Sequence, residues 1–296
     1  MRLGPRLTGL IAHAIHPARA VWVGRILLLF VWSGTSIHGP WSSGAHLGAT
    51  HAVSARPPSG ITARLIPGTE VGKLLLPDLR TLAPSGFLVE RRSGGRVLRL
   101  ANTVWNSGQG PLELVGEIPR STQVTSVRQV VNAPDGLYRD RFVGDFIWHA
   151  SHGHWHIEEF ARYELWSLSS SLELDRVVAG STKVSYCLID TRSVSLSLPG
   201  APPRVVYRGC GRVRQGLSVG WGDEYKAHLD GQTIDLGELP DGIYALVSTV
   251  NPGGRLAEAD YANNATVVYL DLAGTRVEVV PAAVLNKERC LTMNVC

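Results

Sequence analysis

Phe87-Leu88-Val89-Glu90 and Arg96-Val97-Leu98-Arg99-Leu100 flank Ser93-Gly94-Gly95. Two apolar-rich runs of strand length around a glycine turn are a hairpin signal. The pattern continues downstream. Val124 to Val131 is rich in β-branched residues, and the turn-forming Pro134-Asp135-Gly136 follows it. Thr233-Ile234-Asp235-Leu236 and Ile243-Tyr244-Ala245-Leu246-Val247 are split by Pro240-Asp241-Gly242, and Thr266 to Leu270 and Arg276 to Val280 add two more strand candidates. No segment carries a long, capped helical period. The expected fold is all-β: a β-sandwich-like single domain with long irregular loops, spanning residues 74–296.

Composition agrees. Of 296 residues, 44% are hydrophobic and 18% charged, which suffices for a buried core and excludes an intrinsically disordered chain. The net charge is only +4 and its basic residues are scattered, so nucleic acid is not an expected partner. Residues 1–55 read as a signal or leader segment: arginines precede the apolar run Ile26 to Trp32, and small and polar residues follow. That run is far shorter than the roughly 20 apolar residues of a spanning helix. A linker over 56–73 completes the division, and the expected location is secreted or cell envelope.

All four cysteines (Cys187, Cys210, Cys290 and Cys296) follow the leader. Their even number in an exported chain favours disulfides, and three pairings are formally open. Nearness in sequence favours Cys187–Cys210 and Cys290–Cys296.

The histidines are clustered. Beyond the leader there are five, and four of them lie in Trp148-His149-Ala150-Ser151-His152-Gly153-His154-Trp155-His156. Side chains along a strand alternate faces, so His152, His154 and His156 project from one side of an extended segment. His149 has the opposite parity and points elsewhere unless the strand bends. Three imidazoles on one face make a metal site open to water or substrate, and imidazole suits copper, zinc, iron and nickel alike. The competing reading is a solvated polar face. The core-like Phe146, Ile147, Trp148, Trp155 and Ile157 around the segment favour ligation.

This segment resembles the copper-binding segment of the lysyl oxidase family. Further matches follow in the family's order: Glu159-Phe160 with Tyr163-Glu164-Leu165, Lys183-Val184-Ser185-Tyr186-Cys187-Leu188-Ile189-Asp190-Thr191, Gln215 to Gly220, Asp223-Glu224-Tyr225, and Asn251-Pro252 through Glu258, Asp260-Tyr261 and Asn263-Asn264. The resemblance spans roughly residues 74–272. It implies that His152, His154 and His156 bind copper, and that Lys183 and Tyr225 are joined as a lysine tyrosylquinone. His149 matches a family histidine that is not counted as a ligand. Taken singly, Lys183 is a surface lysine and Tyr225 a half-buried aromatic. Their joint presence in a chain with four lysines changes that reading.

The implied activity is a copper-dependent amine oxidase that converts primary amines, peptidyl lysine among them, to aldehydes with O₂ as acceptor. A quinone is itself an electron sink, so no dinucleotide motif is required. Asp223 is the first candidate for the general base, aimed by an adjacent turn, and capping of that turn is the equal alternative. Glu158 and Glu159 are candidates to hydrogen-bond an imidazole. Asp260, Asn263 and Asn264 read as loop-fixing residues. The chain departs from the animal members in having fewer cysteines, with Ser151 where they carry one inside the copper segment, and in the loop between Cys187 and Tyr225. Two other classes remain open: a three-histidine zinc hydrolase and a non-catalytic copper-binding β-sandwich module.

Overall fold

A computed structural model describes residues 74–292 apart from 120, 122, 134–137 and 182–184. The leader, the linker, the Pro134-Asp135-Gly136 turn and Lys183 therefore lie outside the described residues. The all-β expectation holds. Strands β1 (Leu79–Thr81), β2 (Ser85–Arg92), β3 (Gly95–Asn106), β4 (Leu112–Pro119) and β5 (Val124–Asn132) lead into β6 (Tyr138–His149) and β7 (His154–Ile157). There follow β8 (Ala161–Leu168), β9 (Leu174–Gly180), the two-residue β10 (Arg192–Ser193), β11 (Arg214–Leu217) and β12 (Trp221–Tyr225). The chain closes with β13 (Thr233–Gly237), β14 (Gly242–Val250), β15 (Ala265–Ala273), β16 (Arg276–Val280) and one helix, α1 (Ala282–Thr292).

The β2–β3 hairpin forms as its sequence demands, with Arg92 opposite Gly95. Gly95 has φ +118°, and a Cβ there would lie 2.7 Å from the Gly237 carbonyl oxygen, so only glycine fits. The strands form three sheets. In the first, β1, β3, β12 and β10 are neighbours in that order, and β2 and β13 also pair with β3; the others run β11-β4-β5-β6-β7 and β16-β15-β14-β8-β9. One hydrophobic cluster joins them: Leu98 and Leu100 of β3, Leu114 of β4, Phe146 of β6, Leu165 of β8 and Leu270 of β15 are all fully buried. Each such side chain stabilises the fold by roughly 1.5–3 kcal/mol relative to exposure.

Two long irregular stretches are fixed by buried carboxylates. Asp190 accepts hydrogen bonds from Val206 N, Tyr207 N, Ser218 N and Ser218 Oγ at 2.7–3.1 Å, pinning the loop between β10 and β11. Glu258 accepts from Leu79 N, Asn251 Nδ2 and Asn264 Nδ2 at 2.6–2.9 Å, pinning the loop between β14 and β15. Asp260 and Asn263 are bonded to each other at 3.0 Å in the same loop, which matches their expected loop-fixing part.

Among the described residues one short helix, α1, accompanies the strands without altering the all-β class. Pro281 leads into it, and the Pro281 carbonyl accepts from Val284 N at 2.9 Å. Leu285 is buried while most of its described neighbours are exposed, so the segment lacks the apolar stripe by which a helix is read from sequence. Among the described residues no helix is long and apolar enough to cross a membrane.

Candidate metal centre and adjoining cavity

The histidines sit on the β6–β7 hairpin. Trp148 pairs with Trp155, and His149 with His154. Successive residues alternate faces, so Phe146, Trp148, Trp155 and Ile157 form one side and Ile147, His149, His154 and His156 the other. Phe146, Trp155 and Ile157 belong to the core, and the Trp148 and Trp155 rings meet edge to face at 5.7 Å. The apolar side thus anchors the hairpin and fixes where the imidazoles point.

Chain reversal brings His149 in. Both His152 N and Gly153 N donate to the His149 carbonyl, at 3.1 and 2.9 Å, and Gly153 takes φ +68°. His152 therefore lies in the turn between the strands, whereas an extended 152–156 segment was expected. His149, whose parity predicted the other side, instead faces its cross-strand partner His154. Its ring centre is 4.6 Å from those of both His152 and His156. His154 lies 4.8 Å from His156 and 5.5 Å from His152 on the same measure. Donor nitrogens of His149, His152 and His156 all fall within 4.8 Å of one another.

The outer edge of β7 is clamped by the segment after Lys183. Ile157 and Tyr186 exchange backbone hydrogen bonds at 2.8 and 3.0 Å, and Trp155 N donates to the Cys210 carbonyl at 3.0 Å. Cys187 and Cys210 form a disulfide, as their nearness predicted. The second expected pair, Cys290–Cys296, lies outside the described side chains. Ser185 Oγ is 3.1 Å from His156 Nδ1, which directs Nε2 of that fully buried ring toward the other histidines. In the sequence Ser185 stands out only as a member of the Lys183–Thr191 segment, with nothing local to join it to His156.

These residues fit a metal ion. His152 Nδ1 and His156 Nε2 are 3.4 Å apart. Two nitrogens bound to one ion at about 2.0–2.1 Å in tetrahedral geometry lie about 3.3 Å apart. An imidazole set of this kind suits copper and zinc.

Beside the cluster is an open cavity of about 510 Å³, lined by His152, His154, the Cys187–Cys210 bridge, Asp223, Tyr225 and His228 among others. Tyr225 ends β12, paired with Asn102 of β3. Its hydroxyl donates to the Cys187 carbonyl at 2.8 Å and accepts from Cys187 N at 3.0 Å. Its ring meets that of Tyr186 edge to face at 4.6 Å. Burial, followed by the Asp223 and Tyr186 charges, pushes the phenol well above its ordinary pKa, while the Cys187 N–H pulls the other way. Asp223 is buried and lies within β12 rather than beside a turn, two residues from Tyr225 and on the same strand face; Thr191 Oγ1 donates to it at 3.2 Å. Glu159 forms an ion pair with Arg255 at 3.1 Å. Burial raises the pKa of Glu158. His152, His154, Asp223 and Tyr225 thus share one cavity, with His156 behind it.

The fold and this site together define an all-β protein with an imidazole cluster that fits a metal ion, next to a half-buried tyrosine. The lysyl oxidase family model matches residues 127–282, more than half of the chain. The chain belongs to the lysyl oxidase family. It is 38% identical over 120 residues to protein-lysine 6-oxidase of Gallus gallus, covering 40% of this chain and 26% of that protein. Against lysyl oxidase homolog 4 of Mus musculus the identity is 37% over 120 residues, 40% of this chain and 14% of the relative. Lysyl oxidase homolog 2 of Gallus gallus is 34% identical over the same length and shares. The chain thus spans between about a seventh and a quarter of the length of these relatives.

Proposed function

We propose that this chain is a secreted or cell-envelope, copper-dependent amine oxidase of lysyl oxidase type. It takes a primary amine, either a small amine or a protein lysine, with O₂ and water to the aldehyde, ammonia and hydrogen peroxide. Electrons balance: the amine carbon loses two and O₂ gains two. In this reading residues 1–55 are the leader and 74–296 the catalytic domain. His152, His154 and His156 hold the copper, and Lys183 and Tyr225 form the quinone. Copper would promote oxidation of the Tyr225 ring by O₂, and the quinone would accept the substrate's electrons.

The residues around the site have separate tasks. Ser185 orients His156, and the Trp148–Trp155 face holds the hairpin rigid. The Cys187 peptide positions the Tyr225 hydroxyl from both its N–H and its carbonyl. Asp223 serves as the general base that removes the proton from the amine-bearing carbon, in a buried position beside Tyr225.

The observation that supports this reading is the single cavity lined by His152, His154, Asp223 and Tyr225. Tyr225→Phe tests it. The variant is expected to bind copper but to lose quinone absorbance and amine-dependent peroxide release. Unchanged peroxide release in the variant would refute the assignment of Tyr225.

A further inference from the structure

We infer that the loop between β10 and β11 is a docking surface for an acidic protein segment, held beside the cavity. The inference rests on the amine oxidase reading above and deepens it: the amine is then the lysine of a protein that carries an acidic stretch. Residues 1–73 hold seven of the 29 basic residues and one of the 25 acidic ones, which leaves 22 against 24 in residues 74–296. Within that mildly acidic domain, residues 191–222 contain five arginines and no Asp or Glu. Two of the five are neutralised from other strands, Arg192 by Glu224 at 3.0 Å and Arg214 by Glu113 at 2.7 Å. Arg204, Arg208 and Arg212 are exposed, and among the described residues no carboxylate pairs with them. Arg208 bonds to a carbonyl instead, and Arg212 lies 6.0 Å from the centre of the Trp155 ring.

The loop is built to present these groups. Trp221 Nε1 donates to the Pro202 carbonyl at 2.9 Å, and the buried Asp190 carboxylate accepts from Val206 N and Tyr207 N at 2.9 and 3.1 Å. These anchors fix the backbone around Arg204 and Arg208, so little ordering cost remains on binding. Arg208 gives Nε and Nη2 to the Val205 carbonyl at 3.2 and 3.1 Å, which orients the guanidinium and leaves three of its five N–H donors for a partner. Cys210 sets the location. It lines the cavity, and Arg208 and Arg212 follow at two residues on either side, within about 7 Å along the backbone. Asp223 and Asp230 line the same cavity. The carboxylates suit the incoming ammonium, and the guanidinium groups suit the acidic chain that bears it. Val206 and Val213 are exposed among the arginines, and arginine set among apolar side chains favours a protein partner over an inorganic anion.

The test uses the full chain matured with copper and air, and a fluorescent glutamate-rich peptide containing a lysine. Its control is the same peptide with every glutamate replaced by glutamine. Fluorescence anisotropy is expected to show the glutamate peptide bound at least about 10-fold more tightly, with the advantage lost near about 1 M salt. Arg204→Gln/Arg208→Gln, with Arg212 left in place because it also touches Trp155, is expected to bind the glutamate peptide about 5-fold or more weakly. The variant's KM for that peptide's lysine should rise by the same factor, while kcat and the oxidation of butylamine stay at the wild-type level. Equal affinity for the two peptides, or for wild type and variant, would overturn the inference. Tight binding of inorganic polyphosphate without binding of the glutamate peptide would overturn it too. The two-peptide comparison on the wild type decides the matter if the variant does not fold. A wild type that binds the glutamate peptide through these arginines yet releases no peroxide from any amine keeps the surface and defeats the oxidase reading. An active oxidase indifferent to glutamate does the reverse.

Discussion

Removing the Cys187–Cys210 bridge reports on both stability and site. The two cysteines are 23 residues apart in sequence. Closing a loop of that length removes about 11 cal/mol/K from the unfolded chain, or about 3.4 kcal/mol at 25 °C. The Cys187→Ala/Cys210→Ala double variant is therefore expected to lose that stability, about 7–14 °C in melting temperature for a domain of this size. Local effects follow from what the bridge holds. The Cys187 peptide grips the Tyr225 hydroxyl, and the Cys210 carbonyl takes Trp155 N of the histidine strand. With that grip loosened and water admitted, the Tyr225 phenol is expected to titrate closer to its ordinary pKa, because burial is what raises it most. The assays are thermal unfolding by circular dichroism and ultraviolet titration of phenolate. A loss below about 1 kcal/mol with an unchanged tyrosine titration would refute the reasoning, since the bridge would then constrain neither the unfolded chain nor the site.

Stability should also depend on pH through Glu258, whose carboxyl burial pushes up to about 7 from 4.5. A raised acid binds its proton more tightly in the folded state, so this contribution is full below pH 4.5 and is lost as pH rises through 7. The loss amounts to about 3 kcal/mol across that window, and denaturant midpoints of Glu258→Gln should be flatter over it than those of the wild type. Asp190→Ala strips the shared acceptor from three backbone N–H groups and the Ser218 hydroxyl. Chemical denaturation is expected to show a loss of at least about 3 kcal/mol. Ser185→Ala removes the partner of His156 Nδ1 and is expected to weaken Cu(II) binding by about 10–100-fold with little change in far-ultraviolet circular dichroism.

Most of the fold is legible because its signals are local. The glycine turn at Ser93 to Gly95 and the β-branched run from Val124 specify strands from their own residues, and β2, β3 and β5 form there. Helix α1 escaped because packing of Leu285, rather than an apolar stripe, accompanies it. In the site, the histidine cluster was visible as composition but its geometry was not. Alternation treats a segment as one strand, whereas the turn after His149 folds it into two, and this brings in His149 and places His152 between the strands. Ser185 escaped for a related reason: its meeting with His156 spans 29 residues and depends on the Ile157–Tyr186 pairing. The Tyr225 hydroxyl is likewise held by a backbone 38 residues away, a contact that no local pattern announces.

The proposed function turns on whether Lys183 and Tyr225 become one cofactor. The most direct measurement is a peptide map, by mass spectrometry, of the protein matured with copper and air. The account predicts a single cross-linked species containing the Lys183 and Tyr225 peptides, absent from Tyr225→Phe and from protein kept free of copper. Two separate, unmodified peptides from copper-loaded protein would contradict it.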